Sequence, residues 1–138
     1  MGVDIPAAQE FLRGHHRAVL ATTRADGRPQ MSPVLAVVDD AGRALISTRT
    51  AAVKVGHLRR DPRAALLVIS DGFFGDWVQV EGTAEIIALP EAMDLLVDYY
   101  RRAAGEHANW DEYRAAMVDQ NRVVVRLTME RAGPNVSG

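Results

Sequence analysis

"STRTAAVKVGHLRRDPRAALLV" (residues 47–68) starts like the end of a strand, continues as a short helix and returns to a strand. At about 100° per residue, Ala51, Val55 and Leu58 fall within about 60° of one another, a narrow apolar stripe. Lys54 lies about 60° to one side of Ala51, Arg59 about 80° to the other, and Arg60 almost opposite. Asp61-Pro62 stops the helix, since the residue before a proline is pushed out of the helical region. "RAALLVIS" (63–70) is continuously apolar and reads as a buried strand.

The flanking sequence decides what this strand–helix–strand unit belongs to. "RAVLATTR" (17–24) and "QMSPVLAVVDD" (30–40) read as strands joined through "ADGRP" (25–29), where Asp26-Gly27 is a strong hairpin signal. Pro33 sits inside the return strand, so that segment should be an edge, a bulge or a place where the ladder opens. "DDAGR" (39–43) is a second turn, leading into "ALISTR" (44–49). Downstream, "WVQVEGTAEII" (77–87) alternates as far as Glu81 and then meets Gly82, which marks a bulge or bend. "RVVVRLTME" (122–130) is the last strand, and "RAGPNVSG" (131–138) reads as an unstructured tail. Helices are expected after Pro6 as far as Gly14, from Pro90 to Glu106, and over residues 109–121 with Asn109 as N-cap. Six strands, several joined by tight turns, with helices inserted between them, predict a mostly antiparallel curled sheet or small barrel. The strict β-α-β-α alternation of a doubly wound sheet is absent.

The 138 residues suffice for one domain with a core around residues 8–130. With a net charge of −2, the surface as a whole attracts neither nucleic acid nor anionic membrane. The absence of cysteine excludes thiol chemistry and Cys-ligated metal. No stretch reads as a signal peptide or a membrane span, so a cytoplasmic location is expected. The four histidines are scattered and match no zinc spacing, so no metal site is expected. Neither a GxSxG elbow nor a phosphate-binding glycine loop is present.

What remains is local positive charge. Five basic residues fall between Arg49 and Arg63, and Lys54 is the sole lysine beside fifteen arginines. Ser47 and Thr48 end a strand, Arg49 follows, and Lys54 edges the apolar face of the next helix. Those four residues are placed to converge on one anion at a strand–helix junction, where free N–H groups also point outward. Arg60 and Arg63 read as surface arginines. Tyr99, Tyr100 and Tyr113 lie in helices where packing is the default, and no catalytic residue is named.

The succession "LATTRADGRPQMSPV", "LISTRTAAVKVGHLRRDPRAALLV" and "WVQVEGTAEII" resembles the pyridoxamine-phosphate-oxidase-like split barrels over roughly residues 8–130. Within them, "HLRRDPRAALLV" and "YYRRAAGEHANWDEYRAAMVDQNRVVVRL" are most similar to the actinobacterial enzymes that use the deazaflavin coenzyme F420 rather than FMN. The resemblance implies a six-stranded antiparallel split β-barrel that dimerises, with two cofactor sites in grooves between subunits. It implies a cofactor phosphate around Ser47, Thr48, Arg49 and Lys54, with Arg59 available to the anionic tail. It places the ring along Gln30, Ser32, Pro33 and Val34, and the partner's contribution at Trp77, Val78 and Gln79. Trp110 reads as core. The implied chemistry is F420-dependent hydride transfer to a small organic electrophile of quinone, enone, nitro or tetrapyrrole type. An FMN-binding oxidoreductase or carrier is one alternative, and a non-enzymatic cofactor-binding or storage protein is the other. Relatives often carry a polar residue at the position of Pro33. Proline has no N–H, so a ring contact there must come from a carbonyl or a neighbour.

Overall fold

A computed structural model describes residues 4–133. Asp4 caps the first helix, α1 (Ile5–Gly14), its carboxylate accepting from the Ala7 N–H at 2.9 Å. The strands are β1 (Arg17–Thr23), β2 (Pro29–Val38), β3 (Ala44–Arg49), β4 (Arg63–Ile69), β5 (Trp77–Ile87) and β6 (Arg122–Ala132). They close into a barrel in the order β1-β2-β3-β6-β5-β4, with every pair antiparallel. Helix α2 (Val53–Arg60) connects β3 to β4, and α3 (Met93–Ala104) and α4 (Trp110–Asp119) connect β5 to β6.

The period-two pattern of the strands divides the apolar residues between two cores. Inward-facing Leu20, Ile46, Leu66, Val80 and Leu127 fill the barrel, joined by Leu12 of α1 and Leu58 of α2. Outward-facing Val37, Leu45 and Val124 are covered by Leu96 and Val97 of α3 and by Tyr113 and Met117 of α4. The two connecting helices therefore clad β2, β3 and β6. Among the described residues, no helix lies over the outer face of β1, β4 and β5.

Several boundaries differ from the sequence reading. Helix α3 begins at Met93, because a turn through Pro90 and Ala92 precedes it. Helix α2 begins at Val53, which leaves Ala51 exposed before the helix and reduces the buried stripe to Val55 and Leu58. Strand β2 ends at Val38, where buried Asp39 takes over: its carboxylate accepts from the Ala41 and Arg43 N–H groups and from Arg43 Nε. Strand β6 runs on to Ala132 by pairing with Val80, and the Gly133 N–H donates to the Gln79 carbonyl, so the tail starts later than Arg131. The rest of the expected tail, residues 134–138, lies outside the described residues. The expected irregularity at Gly82 is present as a register shift between Glu81 and Gly82.

A candidate cofactor groove where the barrel splits

β2 pairs with β1 along the whole length of β1, from Pro29–Thr23 to Leu35–Arg17, but with β3 only over Ala36, Val37 and Val38. Residues 29–35 therefore have a partner on one side only, and the barrel wall opens between β2 and β3. The phase of the ladder shows which peptide groups face the opening. The Ala36 N–H donates to the His16 carbonyl and the Arg24 N–H to the Arg28 carbonyl. Counting in twos between these, Gln30, Ser32 and Val34 bond to β1, whereas Met31, Pro33 and Leu35 turn their peptide groups to the opening. Pro33 thus sits where its missing N–H costs the ladder nothing.

β3 mirrors this. Its phase, set by the Thr50 N–H donating to the Asn121 carbonyl, points Ile46 and Thr48 to β6 and Ser47 and Arg49 to β2. The two lips of the opening therefore present N–H groups from Met31, Leu35 and Arg49 and carbonyls from Met31, Pro33 and Ser47.

The side chains fall on two faces. On the inward side Thr48 is buried, and Ser32 Oγ is buried with no hydrogen-bond partner among the described residues. An orphaned buried hydroxyl is costly and marks a place where a ligand or water is expected. Beside it, buried Thr22 Oγ1 lies 3.0 Å from His57 Nδ1 and 3.4 Å from Gln30 Oε1. This chain ties α2 to β1 and β2. It joins residues 22, 30 and 57, and no local pattern in the sequence signals it. On the outward side Ser47 is half-buried and Arg49 exposed. Strand alternation therefore separates Thr48 from Ser47 and Arg49, so the three side chains reach one anion only through different faces of the lip.

The basic segment divides by use. Arg60 Nη2 donates to the Thr23 carbonyl at 2.9 Å, and Arg63 pairs with Asp61 at 2.7 Å. That pairing holds the Asp61 carboxyl down at about 2. The side chains of Arg49, Lys54 and Arg59 make no hydrogen bond or ion pair among the described residues. Lys54 is part-buried at the start of α2, and this burial lowers its pKa. A half-desolvated ammonium without a partner is stabilised by an incoming anion. The first turn of α2, whose N-cap Ala52 supplies no side-chain acceptor, leaves N–H groups beside it.

The third group nominated from the sequence lies elsewhere. Trp77 and Gln79 are half-buried on the outer face of β5, and the Val78 side chain is 1% exposed inside the barrel. β5 is diametrically opposite β2 in the six-strand order, so one chain does not bring them together. Trp110 packs among Tyr100, His107 and Tyr113, with Arg101 over its ring at 4.7 Å. A separate open depression of about 700 Å³ is lined by residues of β1, β4, β5 and β6, among them Ala21, Ala65, Gly82, Arg63, Glu81 and Arg131. It contains none of the nominated residues.

A family model for pyridoxamine 5'-phosphate oxidase matches residues 5–134. The chain belongs to that family. Among solved structures, it is similar to a conserved hypothetical protein of Mycobacterium tuberculosis, at 29% identity and a TM-score of 0.74, covering 91% of this chain and 79% of that one. A protein named as an F420 reductase shares the fold at 21% identity and a TM-score of 0.69, covering 91% and 94%. General stress protein 26 of Bacillus anthracis does so at 15% identity and a TM-score of 0.63, covering 95% and 98%. No helix among the described residues is long and apolar enough to cross a membrane.

Proposed function

We propose that the protein is a homodimeric oxidoreductase of this family that uses F420 to reduce a small organic electrophile. The observation that carries this is the opening between β2 and β3, with unpaired peptide groups on both lips and unspent cations at one end. A flavin or deazaflavin ring presents a pyrimidine edge of alternating carbonyl and N–H groups. The lips offer complementary donors and acceptors at Met31, Pro33, Leu35 and Ser47. Ser32 Oγ, buried and unpartnered, suits the same ligand from the inward side. Lys54, Arg49 and the α2 N-terminus suit its phosphate. FMN ends at that phosphate; Arg59, exposed and unspent beyond it, favours the longer anionic tail of F420. The likeness to an F420 reductase supports the same choice.

When bound, the reduced deazaflavin supplies a hydride. The chain's part is to fix the ring against the β2 lip, to neutralise the phosphate and to exclude water. Within one chain β5 stands opposite the groove, so Trp77 and Gln79 complete a site only across a dimer. The surface for such a dimer is the outer face of β1, β4 and β5 together with residues 29–35 of β2. Register aligns Pro33, Val19, Leu67 and Gln79 in one row, and Leu35, Arg17, Ile69 and Trp77 in the next. Met31 is 64% exposed and Leu35 52%, large apolar side chains that no described residue covers.

Cofactor titration tests the reading. F420 should bind at micromolar level or better and FMN much more weakly; protein purified yellow with FMN would favour the FMN alternative and overturn F420. Binding without F420-coupled turnover of quinones, enones, nitroaromatics or tetrapyrroles would favour a carrier.

Lys54→Ala should weaken F420 binding about ten- to hundredfold, roughly 1.5–3 kcal/mol for one charged hydrogen bond. Arg60→Ala, whose guanidinium is engaged by the Thr23 carbonyl, should leave affinity unchanged. Equal effects from both would show only a general field of positive charge.

A further inference from the structure

The β2–β3 ladder stops abruptly, and its last missing bond is occupied. The Asp39 N–H donates to the Arg43 carbonyl, which makes Val37–Leu45 a bonded pair and Leu35–Ser47 the next one in phase. In that pair the Ser47 N–H would donate to the Leu35 carbonyl. Instead, the Tyr99 hydroxyl donates to the Leu35 carbonyl at 3.0 Å, and the Ser47 backbone lies near enough to the same oxygen to favour its ionised form. One phenol oxygen stands between the two strands and occupies the carbonyl of the terminal pair.

The helix carrying it is fixed to the same strand one turn later. Arg102 Nη1 donates to the Val38 carbonyl at 3.0 Å, while its Nη2 binds Asp40 and its Nε binds Asp98. Tyr99 and Arg102 thus grip β2 at residue 35, just outside the residues paired with β3, and at residue 38, at their far end. Burial raises the Tyr99 pKa, so the hydroxyl keeps the proton it donates.

We propose that Tyr99 is the positioning residue that holds the groove open, its hydroxyl replacing the Leu35–Ser47 ladder bond and preventing β2 and β3 from zipping further. Nearly all buried peptide groups must be paired, so strands parted without such an insert would tend to close on each other. The insert satisfies the carbonyl of the terminal pair and leaves the peptide groups of Met31, Pro33 and Arg49 facing the opening. The role in cofactor binding rests on the function proposed above; the wedge itself does not.

Tyr99→Phe in the full chain separates the two. By amide hydrogen exchange, Ser47 should lose protection by about tenfold or more, while Leu45, bonded to Val37, should exchange as in the wild type. F420 affinity should fall about tenfold. Met93→Ala, which loosens the same helix without touching the strands' edges, should keep it. Unchanged Ser47 exchange, or unchanged affinity in Tyr99→Phe, would overturn the proposal. If the wild type bound neither F420 nor FMN, the functional reading would fall, and the comparison of Ser47 with Leu45 would still decide the wedge.

Discussion

Leu67→Glu should yield a folded monomer that has lost cofactor binding by a hundredfold or more. Leu67 lies on β4, opposite Val19 of β1 and Gln79 of β5, at the centre of the uncovered outer face. Its side chain is half-buried within the chain and contributes nothing to the barrel interior, which β4 fills with Ala64, Leu66 and Val68. A carboxylate there can reach water in a monomer, so the fold should survive. In a dimer it would be driven into an apolar interface, and a buried unpaired charge costs several kcal/mol. In a two-fold arrangement the same residue enters the interface twice, so the penalty doubles. Stable dimers bury about 1,600 Å² around such an apolar centre, and a penalty of this size is enough to separate them at micromolar concentration. Cofactor binding should go with the dimer, because β5 is opposite β2 and its residues reach the groove only from a second copy. Sedimentation of wild type and variant, with F420 titration of each, checks both parts. A monomeric variant that still binds F420 at wild-type strength would place the whole site within one chain.

Much of the fold was written in local signals. Asp26-Gly27 announced the first hairpin, and Gly27 takes up the positive φ of 87° that its turn requires. Asn109 caps α4 as its position suggests, accepting from the Glu112 N–H. Pro33 marked an edge, and the edge is there. The errors arose where a contact distant in sequence overrides a local pattern. Strand β6 continues past Glu130 because β5 supplies a partner, and the polar, glycine-containing residues 131–133 gave no sign of it. Ala51 fitted the helical stripe by angle, yet the chain enters α2 two residues later.

The site was legible to a lesser depth. Charge counting found the basic segment, and helical geometry set Lys54 apart from Arg60, which the structure engages with the Thr23 carbonyl. Which face of β3 each residue occupies follows from alternation, and it divides Thr48 from Ser47 and Arg49. The opening itself depends on how far β2 and β3 pair, a property of two strands and a helix more than 40 residues away in the chain. Tyr99 illustrates the limit. In sequence it is one of three helical tyrosines and reads as packing. Its Leu35 partner is 64 residues distant, and only the ladder phase reveals that its hydroxyl stands in for a backbone bond.

Gly82→Ala should destabilise the protein by at least about 3 kcal/mol, the range of severe overpacking or strain in a close-packed interior. Gly82 sits at the β5–β6 register shift, facing Met129 across the ladder. A Cβ built there overlaps the Thr128 carbonyl oxygen, which is backbone and has no rotamer to move into. The Glu130 N–H also approaches that position, at 3.3 Å. Relief therefore requires β6 to shift away from β5 along their longest shared ladder. That movement would disturb Ala84, Leu127 and Met129 in the barrel core and the Thr83–Glu130 hydrogen bond at the surface. The comparison with Gly14 isolates the cause: that glycine, at the end of α1, has nothing within 4 Å of an added Cβ. Gly14→Ala should therefore leave the unfolding midpoint in urea nearly where it is, while Gly82→Ala lowers it sharply. Equal midpoints for the two variants would mean that β6 yields at Thr128 without cost, and that the bulge does not depend on the missing side chain.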